Sequence, residues 1–229
     1  MDTLGVLMLE TRFPRLPGDI GNPATFDFPV RYAVVRGASP RRIVKGCDPS
    51  LLRPFIDAAR ELVQAGASAI ATSCGFLVLF QQALQDALDV PVWSSSLLLV
   101  PALQAALPAG RTVGIVTVDG EALGPAHLRA AGAPIDTPIE GLAPGCAFQR
   151  CVLDDEAGLD ADGARAATVA AAQRLVARRP DIAALVLECT NMPPYAEAVR
   201  RATGLPVHDI TTLLASCFAP APASRPPSS

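Results

Sequence analysis

Apolar residues along this chain fall into two patterns. Short, dense apolar runs at Leu4–Leu9, Val30–Arg36, Ser68–Ser73, Val90–Trp93, Arg111–Val118 and Ile182–Leu187 read as buried strands. Between them, apolar positions recur every three or four residues. Phe55, Ile56, Ala59, Leu62 and Val63 form one such stripe, with Pro54 near its start and Gly66 just past its last turn. Phe76–Leu88, Glu121–Ala131 and Ala161–Arg178 read as further helices. Strands alternating with helices predict an α/β fold, with parallel sheets covered by helices. The Pro- and Gly-rich segment Glu10–Pro29 reads as a long loop, and Gly132–Asp155 shows no legible element. Ala219–Ser229, mostly Pro, Ala and Ser, reads as a disordered tail.

The pattern repeats. Ala59-Arg60-Glu61-Leu62-Val63 leads to Ala69-Ile70-Ala71-Thr72-Ser73-Cys74, and Ala172-Gln173-Arg174-Leu175-Val176 leads to Ala184-Leu185-Val186-Leu187-Glu188-Cys189. Val90-Pro91-Val92 and Leu205-Pro206-Val207 follow at the same spacing, each with hydroxyl residues close behind. The opening strands match as well, Leu4-Gly5-Val6-Leu7 against Val113-Gly114-Ile115-Val116. Two similar α/β lobes related by a pseudo-twofold axis are expected. The first would span 1–97, completed by 206–218, and the second 98–205.

Composition narrows the partners. The chain has 229 residues, half of them apolar, and a net charge of −3 without a dense basic stripe, so nucleic acid is a poor fit. No apolar run reaches the length of a membrane span, and no basic leader opens the chain. Six cysteines without a Cys-x-x-Cys pair argue against a disulfide framework or a zinc site, and suit reduced thiols in the cytoplasm. No metal and no cofactor are expected, and a homo-oligomer is left open.

Cys74 and Cys189 carry the chemistry. Each follows a buried strand, where ligands of parallel sheets bind, and each precedes a segment read as helical, whose dipole would lower the thiol pKa. Two lobes facing each other would bring both thiols to one cleft, one as base and one as acid. Cys47, Cys146, Cys151 and Cys217 lack any repeated context and read as ordinary apolar residues.

Two α/β halves, a cysteine after a strand in each, and Glu188-Cys189-Thr190-Asn191-Met192-Pro193 together resemble the aspartate/glutamate/hydantoin racemase superfamily. The resemblance covers about residues 1–218. It implies cofactor-independent chemistry by a thiol/thiolate pair at a carbon beside a carboxylate or carbonyl, with Cys74 and Cys189 catalytic. It further implies that Thr190 helps to hold the substrate carboxylate. Amino-acid racemases carry Asn-Thr where this chain has Gly75-Phe76, and often His or Glu where it has Asn191. Gly75-Phe76 leaves a less polar pocket, which suits a larger or less polar substrate.

Candidate substrate-binding residues are Ser73, Gly75, Thr190 and Asn191 beside the thiols, Ser95 and Thr117 near strand ends, and Asn22 and Thr25 in the first loop. That loop, Pro17–Thr25, could present backbone N–H groups to an anion. Arg41, Arg42 and Lys45 form a small basic cluster, and Asp154-Asp155-Glu156 an acidic one. The leading expectation is a racemase or epimerase of a small carboxylate. The alternatives are a lyase such as a decarboxylase, a cis-trans isomerase of a small dicarboxylate, or a two-lobed binding protein without turnover.

Overall fold

The computed structural model describes residues 2–218, so the expected tail lies outside the described residues. Two four-stranded parallel sheets form the frame of an α/β fold. The first holds β1 (Leu4–Leu9), β2 (Val30–Val35), β3 (Ala69–Thr72) and β4 (Val92–Trp93) in the order β2-β1-β3-β4. The second holds β5 (Thr112–Thr117), β6 (Ile139–Gly141), β7 (Ile182–Leu187) and β8 (Val207–His208) in the matching order β6-β5-β7-β8. β1 and β5 are central in their sheets and wholly or nearly wholly buried, which is why they are apolar on both faces.

Alternation along β1 divides the core. Leu7 and Leu9 face the large core that runs through both lobes, together with Phe55, Ala59 and Leu62 of α2 (Leu52–Gln64). Leu4, Val6 and Met8 point the other way, onto Ile210, Leu213 and Leu214 of α9 (Ile210–Phe218). The remaining helices are α1 (Pro40–Val44), α3 (Gln81–Asp86), α4 (Val100–Ala106), α5 (Pro125–Ala130), α6 (Ala147–Leu153), α7 (Ala161–Arg178) and α8 (Ala196–Thr203).

The lobes exchange helices. The chain leaves β4 and enters α4, where Gln104 accepts the Val113 N–H of β5 at 3.0 Å through Oε1 and donates to Arg111 O at 2.9 Å through Nε2. It leaves β8 and returns to the first sheet as α9. One expected boundary shifts as a result. Residues 206–218 are expected to complete the first lobe, but Val207 pairs with Leu185 of β7, so β8 belongs to the second sheet and only α9 crosses back.

Two expectations of local structure change. Phe76–Leu88 is a six-residue 3-10 segment, Gly75–Phe80, followed by the short α3. The segment without legible structure, 132–155, contributes β6 and α6. The basic and acidic clusters meet: Arg41 pairs with Asp154, and Arg12 reaches Asp155 at 3.0 Å, both between the lobes. Lys45 pairs with Asp119 instead. Among the described residues, no helix is long and apolar enough to cross a membrane.

Candidate active site

β3 and β7 end side by side at the interlobe cleft, and the residues that follow them form its floor. Cys74 and Cys189 both line one cavity, with Ser73, Gly75, Thr190 and Asn191 around them. Leu9, Phe13, Val44, Phe76, Val118 and Val152 supply apolar walls, and Thr11, Arg15 and Glu188 add polar groups.

The thiols are not activated as expected. Both are buried, and their pKa values lie above the ordinary thiol value. Burial is the first cause, because a thiolate loses its hydration there, and the carboxylate of Glu188 is the second. The segment after Cys74 is a 3-10 turn and a 3-10 turn also precedes α8, so neither thiol sits on a long helix dipole. The two sites nonetheless differ. The backbone N–H groups of Phe76 and Leu77 and the charge of Arg15 favour a thiolate at Cys74. At Cys189 only the Asn191 N–H does so, while Glu188, Cys74 and Asp19 all oppose it. The Cys189 thiol instead donates to Asn191 Oδ1 at 3.6 Å.

Of the other predicted site residues, Ser73, Gly75, Thr190 and Asn191 reach the cavity, and Asn22, Thr25, Ser95 and Thr117 do not. The Thr190 hydroxyl donates to Ser73 O at 2.6 Å and so ties the lobes together. Ser95 caps the turn after β4 by accepting the Leu97 N–H. Thr117 donates to Glu188 Oε2 at 2.7 Å. Asn22 donates to Arg15 O, and Thr25 donates to Asp19 O while accepting the Gly18 N–H. The first loop is therefore no anion nest. Its N–H groups at 18, 19, 21, 22, 24 and 25 are spent on the loop's own oxygens. What the loop delivers instead is Arg15, held by Asp19 at 3.2 Å, by Thr11 at 2.8 Å, and over the ring of Phe13. Asp19 in turn accepts from Asn191 at 2.7 Å.

Sequence reasoning missed Arg15 and Glu188. Glu188 is 0% exposed, and its Oε1 has no hydrogen-bond partner. Burial raises its pKa to about 7, against an opposing pull from the Thr117 hydroxyl. Gly75 exists to admit it: a Cβ there would stand 2.3 Å from Glu188 Oε1 and 2.5 Å from Glu188 O. A raised carboxyl pKa means the folded state holds the proton more tightly. This stabilisation is complete below the unfolded value of 4.5 and is lost as pH rises through about 7. Glu188→Gln mimics the neutral acid at every pH. It should therefore gain on the wild type between pH 5 and pH 8 by an amount on the order of 3 kcal/mol, measured by denaturant unfolding at both pH values. An equal difference at the two pH values would refute the shift.

Paired thiols at the ends of equivalent strands, between lobes of identical strand order, agree with a family match over residues 48–217 to the Asp/Glu/Hydantoin racemase model. The chain belongs to this racemase family. A dimethylsulfoniopropionate lyase of Durusdinium sp. clade D is 34% identical over 216 residues, covering 90% of this chain and 71% of that protein. Dimethylsulfoniopropionate lyase 7 of Emiliania huxleyi is 35% identical over 222 residues, 92% of this chain and 64% of its own length. Lyase 6 of the same organism is 33% identical, and the chain spans 59% of it. Among solved structures, unliganded arylmalonate decarboxylase superposes with a TM-score of 0.59 at 20% identity, covering 93% of this chain and 88% of that one. An aspartate racemase homologue from Pyrococcus horikoshii OT3 gives 0.57 at 13% identity, covering 93% and 95%. These likenesses establish the fold. The comparisons support an enzyme, and they favour the lyase alternative over the expected racemase.

Proposed function

We propose that this chain is a lyase that eliminates a sulfonium leaving group from a small carboxylate, with dimethylsulfoniopropionate as substrate. The observation that carries the reading is the set of lyases of that name, 33–35% identical over 90–95% of the chain. The geometry supports it chemically. A base removes a proton from the carbon beside the carboxylate, and the electron pair forms a carbon–carbon double bond as the β-carbon–sulfur bond breaks. Dimethyl sulfide and acrylate leave, and the proton stays on the base.

Cys74 suits the base, since it has the better-supported thiolate of the two. Burial that makes the thiolate scarce also makes it strongly basic, and a cationic substrate entering the cavity lowers the cost of forming it. Arg15 is the cavity's guanidinium for the carboxylate. Cys189, bonded to Asn191, stays a thiol beside the substrate. The racemase reading shares the first step and is supported by the second thiol in the same cavity. One experiment separates them. The purified chain is incubated in D₂O with dimethylsulfoniopropionate and, separately, with 2-substituted carboxylates. Headspace dimethyl sulfide and acrylate are the expected products. Deuterium exchange or racemisation at the α-carbon without dimethyl sulfide would overturn the lyase.

A further inference from the structure

We propose that Glu188 is the counter-ion for the cationic sulfur of the substrate and so sets this site's preference for sulfonium compounds; the proposal rests on the lyase reading above. The charges around the cavity divide unevenly. Arg15 and Asp19 neutralise each other, and Asn191 takes the second oxygen of Asp19. Glu188 has Thr117 on Oε2 and no partner on Oε1, although it is fully buried. Among the described residues no basic side chain pairs with it. A buried acceptor left without a donor calls for an explanation.

The fold itself does not require this carboxylate. The equivalent position in the first half is Ser73, whose hydroxyl oxygen accepts the Leu9 N–H at 2.8 Å and is satisfied. A small polar residue completes the strand end there. In the second half the carboxylate is present, and Gly75 has no side chain to obstruct it.

A sulfonium carries no N–H or O–H to donate. It is recognised by charge and by contact with its methyl groups. The cavity offers both: one unpaired carboxylate, and the apolar side chains of Leu9, Phe13, Phe76 and Val118. A zwitterion lying with its carboxylate toward Arg15 and its sulfur toward Glu188 sets each of its own charges beside one of opposite sign. Elimination discharges the sulfur, and neutral dimethyl sulfide then has no hold on Glu188.

The test uses two ligands that cannot undergo β-elimination, dimethylsulfonioacetate and 3-methylbutanoate, the isostere with an uncharged carbon in place of the sulfonium. Calorimetric titrations at pH 8 are made on the full chain, wild type and Glu188→Gln, and dimethyl sulfide release is assayed on the same wild-type preparation. The wild type should bind the sulfonium at least about tenfold more tightly than the isostere, as a desolvated charge pair warrants. In Glu188→Gln the two affinities should converge to within about threefold. A preference retained in Glu188→Gln, with dimethyl sulfide released normally, would overturn the counter-ion and leave the lyase standing. No preference in the wild type would also overturn it, and absence of dimethyl sulfide release would take the lyase reading with it.

Discussion

Cys74→Ala is expected to lower dimethyl sulfide release by about 10²–10⁴-fold, the usual cost of losing an essential proton-transfer group. Cys189→Ala should lose far less. The difference follows from the surroundings of the two sulfurs. Cys74 has two backbone N–H groups and Arg15 to receive its negative charge, whereas Cys189 faces three groups that oppose ionisation and donates its proton to Asn191. Elimination needs one base, because the departing sulfur leaves no carbon centre to be reprotonated. Headspace gas chromatography on the two variants, with circular dichroism to confirm folding, measures this directly. Equal losses would show that both thiols take part in proton transfer, as in a two-base racemase.

Gly75→Ala should have the second large effect. Its Cβ would stand 2.3 Å from the Glu188 carboxylate and 2.5 Å from the Glu188 carbonyl. The carboxylate can rotate away, but the carbonyl is fixed, because Glu188 N–H is bonded to Val116 O at 2.8 Å in the strand ladder. The turn carrying Cys74 must then move instead. Overpacking of this kind costs about 1–3 kcal/mol, and here it also shifts the proposed base. Thermal unfolding should show a clear loss of Tm together with a loss of turnover. Gly158→Ala, where nothing lies within 4 Å of the added carbon, is the matched control and should leave both unchanged. A Gly75→Ala protein with wild-type Tm would show that the two ends of β3 and β7 have slack between them.

The strands, the duplication and the cysteine pair were legible because each rests on local pattern. β1, β7 and α7 were read with their observed ends, since dense apolar runs and a long unbroken helix leave little ambiguity. β6 was missed because three residues, Ile139–Gly141, show no period, and their strand identity comes from pairing with β5. The helix expected over Phe76–Leu88 failed for a related reason. An apolar segment buried almost throughout, Gly75–Phe80, packs equally well as a 3-10 turn, and the sequence carries no exposed face to set its pitch. Of the candidate site residues, those next to the cysteines line the cavity and the distant ones do not. Asn22 and Thr25 were placed near the right loop but serve to fold it, while Arg15, the residue that loop presents, carries no motif. Glu188 lies inside the quoted cysteine motif. Nothing in the sequence singles it out, because only its burial against Gly75 does so.

The matching strand orders have a consequence for how such a cleft can acquire a single charge. The pseudo-twofold that relates Cys74 to Cys189 also relates Ser73 to Glu188 and Gly75 to Thr190. Across the axis, then, Thr190 reaches the Ser73 carbonyl on one side, and Glu188 fits against Gly75 on the other. A dimer of identical subunits would have to repeat one of these solutions, with two serines and no carboxylate or two carboxylates repelling each other in one small cavity. Joining the halves in one polypeptide removes that constraint. Each side of the axis can then mutate alone, so a scaffold built for mirror-image proton transfer can become a directional site that tells one end of its substrate from the other.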